Sequence, residues 1–268
     1  MRKISSEELS EILEKHEQWL QDEGKGERAN LSATDLSGIN LANVNLQYAN
    51  LHLADLRNTS LQDANLKCVN LSFADLSSAN LKCATLRAAN MQSVDLSYAN
   101  LSYADLYSAC LDTACLVNAK LYAADLRFTN FRGVDMSGAD LRGASLRWAD
   151  LRKADLRKAD LRNVDLYDAK VQKVQRPWLL YAGDIGSRNS ETIYFADYDN
   201  IHCGCWNHSK GGTLAEFKKR IDEVYPADSE NEEYQRYRLE YLLAIKMFEG
   251  MREAYLKSVA EAERRKCY

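Results

Sequence analysis

One short stretch of the sequence contains the side chains that most often bind zinc in proteins. Its members are His202, Cys203, Cys205 and His208. Zinc sites usually place two to four residues between paired cysteines, whereas a single residue separates this pair. On a β-strand, His202 would also point to the face opposite Cys203 and Cys205. We therefore predict that these residues belong to a structural strand, with metal binding as the less favoured alternative.

Two other groups of residues have the charge to bind an anion such as a phosphate. Ser187, Arg188 and Asn189 lie in the segment GDIGSRN, where glycine amides and a guanidinium group could bind together. The second group comprises Arg152, Lys153, Arg157, Lys158 and Arg162. Each group also has a structural alternative. The first group would be a turn whose arginine joins two elements of the fold. In the second group, the arginines would pair with nearby aspartates.

The sequence contains no arrangement that is typical of an enzyme active site. It has no Ser–His–Asp set, no Walker loop for a nucleotide phosphate and no isolated pair of carboxylates. Its many aspartates recur at fixed intervals, so they would be distributed over the fold rather than converge on one point. The sequence therefore predicts a non-enzymatic protein without a cofactor.

A strict five-residue repeat must position most of these side chains. From Leu31 to Val171, all 29 positions spaced five apart are large and apolar. A small residue, usually alanine, lies two positions before each of them, and Ile39 is the one bulky exception. A helix has a period of 3.6 and a strand a period of 2.0, so neither explains this pattern. A stack of coils does, because each unit then buries its apolar pair against the units above and below.

These units, such as ADLRKADLRKADLRNVDL from Ala149 to Leu166, resemble the pentapeptide-repeat family with its motif A(D/N)LXX. The resemblance implies a mainly β fold, a right-handed quadrilateral β-helix with four units per coil. The 29 units then make about seven coils, on the order of 34 Å long. The predicted domains are residues 1–28, a capping helix and link; residues 29–173, the β-helix; and residues 174–268, a small α+β module.

Both ends of the chain depart from the repeat. A helix is predicted over Ser5–Leu20, with Ser5 and Glu8 as a capping box and His16 on its apolar face. After the repeats, strands are predicted at Leu179–Ala182, Thr192–Ala196 and Asn200–Trp206. Capping boxes at Thr213/Glu216 and Ser229/Glu232 then predict two helices. The segments IGSRN, CGC and GTLAEF resemble a module of phage and bacterial pentapeptide-repeat proteins.

The last helix carries an apolar stripe that is longer than a small module is expected to cover. Such a stripe is rarely left in water, so it predicts a homodimer formed around a two-fold axis. Its residues are Tyr241, Ile245, Phe248, Met251, Tyr255 and Val259.

Aromatic residues gather on two adjacent faces of the predicted rod. Residues 20 apart stack in a column when a coil has four units, and one such column contains Tyr48, Phe128 and Trp148. Exposed aromatic groups are typical of protein-binding surfaces, although single aromatics on such rods also occur without a partner. The predicted partner-binding residues are Tyr103, Tyr107, Tyr122, Phe128 and Trp148.

The composition limits the classes of function. The net charge is −4, so the whole chain has neither a nucleic-acid nor a membrane signature, and no apolar run approaches the ~20 residues of a membrane span. The N-terminal stretch is charged and has no signal-peptide core. The seven scattered cysteines predict reduced thiols, and with them a cytoplasmic location.

Three functions remain open from the sequence. The favoured one is a non-enzymatic interaction protein that binds and blocks or sequesters a host macromolecule, for example as a phage counter-defence factor. The second is a protein that binds a nucleotide or nucleic acid through its C-terminal arginines and lysines. The third follows from the resemblance, because some pentapeptide-repeat proteins mimic duplex DNA and act on DNA gyrase. The 15 acidic and 15 basic residues of Ala29–Val171 fit such a mimic poorly.

Overall fold

The computed structural model describes residues 1–175, 179–185, 190–196, 200–203 and 212–266. The chain divides into two compact units, Met1–Val164 with Ala169–Gln175, and Asp165–Asp168 with Arg176–Tyr268. Its elements are β1 (Arg2–Lys3), α1 (Ser6–Gln21), β2 (Thr34–Asp35), β3 (Leu179–Ile185), β4 (Ser190–Phe195), β5 (Asn200–Cys203), α2 (Leu214–Val224) and α3 (Glu232–Lys266). None of the helices within these described residues has the length and apolar content to cross a membrane.

The repeats form a coil in which each residue pairs with the residue 20 positions later. Parallel bridges join Asn30 to Asn50, Asn50 to Asn70, and further pairs with the same spacing up the stack. Each unit ends in a turn, as where the Ile39 N–H donates to the Leu36 carbonyl over 3.2 Å. Four units therefore complete one coil. We name the four faces after the first large core residue on each: the Leu31, Leu36, Leu41 and Leu46 faces.

The interior of the coil is filled by the apolar positions of the repeat. Each of the 29 large residues from Leu31 to Val171 is at most 4 % exposed. The small residues before them are also buried, except for the bulkier Ile39 and Val44, which are half-buried. Since no residue is inserted in this run, every unit keeps the same two side chains inside.

The N-terminal segment contacts the first coil through backbone and side-chain hydrogen bonds. The β1 strand pairs in parallel with β2, although the sequence did not predict it. The Ser5 hydroxyl accepts the Glu8 N–H and so begins α1, but the Glu8 carboxylate pairs with Arg2 over 2.9 Å. His16 is fully buried and its Nδ1 accepts the Ala29 N–H, while burial lowers its pKa. These contacts indicate that His16 is neutral and has a structural role.

In its described residues, the second unit contains a three-stranded antiparallel sheet and two helices. Its strand order is β3-β4-β5, and Thr192 of β4 pairs with Cys203 of β5. Thr213 and Glu216 form the expected capping box of α2. The next capping residue is Asn231 rather than Ser229, because the Asn231 Oδ1 accepts the Tyr234 N–H over 3.1 Å. The α3 helix runs through Gly250 without a break and has 35 residues.

Half of the predicted dimer stripe of α3 faces the core of its own module, and the dimer itself stays a prediction. Tyr241, Ile245 and Phe248 are at most 4 % exposed. They pack with residues of β4, β5 and α2, and Met251 and Tyr255 lie partly buried at the margin of this cluster. Val259 is half-buried. Three of the six residues are therefore not accessible to a second chain. The exposed large hydrophobic side chains among the described residues of α3 are Tyr234, Leu239, Leu243, Met247 and Leu256.

Candidate functional site

The five predicted partner-binding residues form two groups on adjacent faces of the coil. Tyr107, Phe128 and Trp148 lie on the Leu46 face, and we call them the aromatic stack. Their ring centroids are 5.3 Å apart between Tyr107 and Phe128, and 4.8 Å apart between Phe128 and Trp148. Tyr103 and Tyr122 lie on the Leu41 face, with their rings edge to face at 5.4 Å. The fold thus brings residues about 20 positions apart into direct contact.

Three arginines complete the aromatic stack, and the sequence analysis did not single them out for this role. The Arg87 guanidinium lies 4.5 Å from the centroid of the Tyr107 ring, and that of Arg127 lies 5.5 Å from the same ring. The Arg147 guanidinium lies 4.8 Å from the centroid of Trp148. All three occupy the column of Tyr107, so their spacing by multiples of 20 was a readable signal. Cation–π contacts of this kind hold the rings in place.

The backbone conformation at Phe128 and Trp148 disfavours bulky side chains. Their φ angles are 59° and 57°, in the left-handed region that the third position of the turns adopts. Gly133, Asn58 and Gly143 occupy equivalent positions on the other three faces. A left-handed conformation costs a bulky L-residue about 1–2 kcal/mol, which glycine avoids and asparagine partly offsets. Phe128 and Trp148 carry this cost while 45 % and 38 % exposed, so burial does not explain their presence.

The basic residues that were predicted to bind an anion lie on three faces of the coil, and only Arg157 and Lys158 of them share a groove. Arg152 and Lys153 lie on the Leu31 face, Arg157 and Lys158 on the Leu36 face, and Arg162 on the Leu41 face. Each arginine also pairs with the aspartate two residues before it, at 2.5 Å in all three cases. Ser187, Arg188 and Asn189 lie outside the described residues, as do Cys205 and His208. His202 and Cys203 belong to β5.

Arg157 and Lys158 of this group line a common depression. It is an open groove of about 330 Å³ on the Leu36 face, lined also by Val117, Asn118, Ser137 and Gly138. A Cβ at Gly138 would lie 2.3 Å from the Asn118 Oδ1, so this glycine keeps the groove open. Arg157 binds Asp155 through its Nε and Nη2. The groove therefore brings two members of the predicted anion-binding group together.

The arginine–aspartate pairs should make the stability of the coil sensitive to acid. Hydrogen bonds from the paired arginines lower the pKa of Asp55, Asp140, Asp150, Asp155 and Asp160 below the ordinary value of 3.8. A lowered folded pKa gives stability that is complete above the unfolded value and is lost as the pH falls through the folded one. We expect an unchanged melting temperature from about pH 7 to 5 and a progressive decrease below about pH 4.

Circular dichroism melts at a series of pH values from about 7 to below about 4 measure this change in melting temperature. The double variant Asp55→Asn/Asp155→Asn should melt at a lower temperature at neutral pH and show a shallower decrease in acid. Because the arginines are about half exposed, solvent screens each pair and its contribution to stability should be small. Equal melting temperatures of the unaltered chain at neutral and acid pH would contradict this prediction.

Charges are distributed unevenly over the four faces. Six aspartates stack in one column of the Leu36 face, at 35, 55, 75, 95, 135 and 155. That face carries three basic residues, Arg57, Arg157 and Lys158. The Leu46 face carries four basic residues and four aspartates. The balanced sum over the rod therefore conceals one acidic face, the Leu36 face.

The repeats match the family model for pentapeptide repeats in eight copies, over residues 27–63, 54–82, 79–118, 119–157 and 144–175. These segments span more than half of the chain. The chain is a member of the pentapeptide repeat family. Family membership confirms the repeat prediction and implies a right-handed β-helix solenoid, and the members of this family are in general structural or interaction proteins. The family model does not extend to the C-terminal module, so its resemblance to phage and bacterial modules stays a prediction.

Solved structures of other pentapeptide repeat proteins are similar to this one. HetL, involved in heterocyst differentiation regulation in the cyanobacterium Nostoc, is 28 % identical over 55 % of this chain and 78 % of its own, with a TM-score of 0.35. A trypsin-treated variant of QnrB1, a plasmid-mediated fluoroquinolone resistance protein, is 20 % identical over 56 % and 87 %, with a TM-score of 0.29. A protein of the Arabidopsis thaliana thylakoid lumen is 28 % identical over 42 % and 71 %, with a TM-score of 0.23. No curated protein sequence matches the chain.

Proposed function

We propose that this pentapeptide repeat protein is a non-enzymatic interaction protein that binds a host macromolecule and blocks it. The proposed contact residues are Tyr103, Tyr107, Tyr122, Phe128 and Trp148. The observation that carries the proposal is the aromatic stack, a row of three rings in contact with arginines on an exposed face. Tryptophan, tyrosine and arginine are the residues most enriched among the energetic centres of protein interfaces.

The backbone cost at Phe128 and Trp148 is shared by other exposed aromatics such as Phe73 and Tyr98. What distinguishes the aromatic stack is the contact of its rings with one another and with arginines. Asparagine would satisfy the turn at these positions and would remain soluble. A partner that covers the two aromatic residues would give them the burial that they lack in the free chain.

Asparagine substitutions separate binding from folding at this surface. We expect Phe128→Asn/Trp148→Asn to melt close to the unaltered chain, because asparagine tolerates the left-handed backbone. Capture of the partner from host lysate should fall at least about 30-fold, since the loss of a single anchor already costs about 2 kcal/mol. Affinity capture with quantitative mass spectrometry measures the loss.

The matched control removes two exposed aromatics from other faces of the same rod. Phe73 lies on the Leu31 face and Tyr98 on the Leu36 face, and they are 52 % and 62 % exposed. Both share the left-handed backbone of Phe128 and Trp148, so the change in backbone cost is the same. Phe73→Asn/Tyr98→Asn should capture the partner as the unaltered chain does. If both double variants recover the same proteins in the same amounts, the aromatic stack is not the binding surface.

The identity of the captured protein tests the finer proposal that the chain is a phage counter-defence factor. That proposal is supported by the resemblance of Ile185–Asn189, Cys203–Cys205 and Gly212–Phe217 to a module of phage and bacterial proteins. A captured host protein that acts against phage would support it. A captured protein of central metabolism would contradict it.

The acidic column of the Leu36 face favours a second candidate function, the modulation of DNA gyrase by DNA mimicry. Stacked coils place its carboxylates about 4.8 Å apart, whereas duplex DNA has one charge per about 1.7 Å. The face is thus a sparse imitation of DNA, which ranks this function second. Inhibition of gyrase supercoiling by the purified protein, weakened by Asp75→Asn/Asp95→Asn, would favour it over binding through the aromatic stack.

A further inference from the structure

We propose that the C-terminal end of the Leu31 face binds the phosphate backbone of a duplex nucleic acid without reading its base sequence. The inference goes beyond the proposed function, because it concerns a face of the coil other than that of the aromatic stack. It follows from the outward residues of the last three units of the Leu31 face, which begin at residues 129, 149 and 169.

The outward positions of these three units are mostly basic, and none of them is apolar. Five of the nine carry lysine or arginine, and only one carries an aspartate. The five basic residues, which we call the basic end, are all exposed and lie within two coil steps, or about 10 Å along the rod. The basic end comprises Arg132, Arg152, Lys153, Lys170 and Lys173, and the other outward residues are Asn130, Gly133, Asp150 and Gln172.

The aspartate within the basic end is already bound. Asp150 pairs with Arg152 at 2.5 Å, and hydrogen bonds from Arg152, followed by the charge of Lys170, lower the pKa of this carboxyl group. In the part of the chain that the structure describes, no other member of the basic end is in an ion pair. Four exposed cations are therefore available to an anionic partner.

The neighbouring faces do not cancel this positive charge. Alongside the three units, the Leu36 and Leu46 faces carry four basic residues and five aspartates over residues 124–128, 134–138, 144–148, 154–158 and 164–168. Together with the basic end and Asp150, the region has nine basic residues against six aspartates. Over its whole length, the Leu31 face has five basic residues against two aspartates. The basic end is thus a local excess of positive charge that complements an anionic partner.

The composition of the basic end favours a nucleic acid over an acidic protein. Interfaces between proteins depend on apolar and aromatic anchors, and the nine outward positions provide none. Binding to phosphates needs only cations, because the release of counterions from the nucleic acid supplies the free energy. The nine positions also lack an aromatic ring on which the bases of a single strand could stack, which favours a duplex.

Fluorescence anisotropy of a labelled DNA duplex of about 20 base pairs, titrated with the full chain at several salt concentrations, tests the inference. The logarithm of the association constant should fall with the logarithm of the salt concentration with a slope of about −3 to −4, since each of the four available cations contributes about −0.9. Two duplexes of unrelated sequence should bind equally, because phosphate contacts carry no sequence information.

The triple variant Lys153→Gln/Lys170→Gln/Lys173→Gln measures the contribution of the basic end. We expect the salt slope to become shallower by about three, because each lysine that contacts a phosphate contributes about one. Its melting temperature should stay close to that of the unaltered chain, since the three side chains are exposed.

The matched control removes three exposed lysines from other faces of the coil. Lys67 lies on the Leu46 face, and Lys82 and Lys120 lie on the Leu41 face. Lys67→Gln/Lys82→Gln/Lys120→Gln changes the net charge by the same amount and should keep the salt slope of the unaltered chain. Equal salt slopes of the two triple variants would overturn the inference, as would the absence of duplex binding at about 50 mM salt.

A labelled polyglutamate peptide of about 20 residues tests the alternative occupant, an acidic protein. Its charges lie about 3.3 Å apart in an extended chain, compared with about 1.7 Å in the duplex, so we expect it to bind more weakly. Tighter binding of polyglutamate than of the duplex would overturn the inference. All of these measurements use purified components and leave the aromatic stack unaltered, so their failure would not affect the proposed function.

Discussion

Leu101→Asp is expected to prevent the repeats from folding into a soluble coil. Leu101 is fully buried on the Leu41 face, with coils on both sides of it. The substitution removes an apolar side chain at a cost of about 2–5 kcal/mol and adds the cost of burying a carboxyl group without a partner. A domain has a total stability of only about 5–15 kcal/mol, so this single change removes most of it. Soluble yield and the circular dichroism melt measure the effect.

Asn163→Asp is the matched control, because it places the same side chain on the same face in an outward position. Asn163 is exposed and has a φ of 58°, which aspartate also tolerates. We expect normal yield and a nearly unchanged melt. If Leu101→Asp folded as well as Asn163→Asp does, the assignment of the inward positions of the repeat would be wrong.

Phe248→Glu is expected to unfold the C-terminal module rather than to separate a dimer. Phe248 is fully buried and lies 5.0 Å from the ring of Tyr194 in the module core. Loss of a buried phenylalanine costs about 3–5 kcal/mol, and a buried carboxylate adds to that cost. We expect rapid proteolysis of residues beyond the repeats, while the coil itself keeps its melting temperature.

Leu243→Glu provides the control on the same helix. Leu243 is 57 % exposed, so the module should remain folded and resistant to protease. Light scattering coupled to size exclusion reports the mass of each variant. A folded Phe248→Glu chain of 30.4 kDa, compared with an unaltered chain of twice that mass, would instead support a dimer formed through the stripe.

The sequence by itself determined the coil and the phase of its core. A five-residue pattern without insertions allows only one set of inward residues. Any shift of the pattern would point Leu101 and the other large apolar residues toward solvent. Because the repeat has no insertions, the assumption of four units per coil was enough to place Phe128, Trp148 and Tyr107 on one face. Local signals also placed the capping box of Thr213 and Glu216, since capping depends on residues only three positions apart.

Only the tertiary structure decided which contacts those residues make. The stripe of α3 was visible in the sequence, but an amphipathic helix carries no information on whether its own module or a second chain covers it. Phe248 packs in a core cluster with residues of β4, β5 and α2, which precede α3 in the sequence. The pairing of β1 with β2 and the position of Arg87 over Tyr107 likewise join residues that are distant along the chain. Contacts between residues so far apart in sequence form only when the whole chain folds. A local pattern of residues therefore does not predict them.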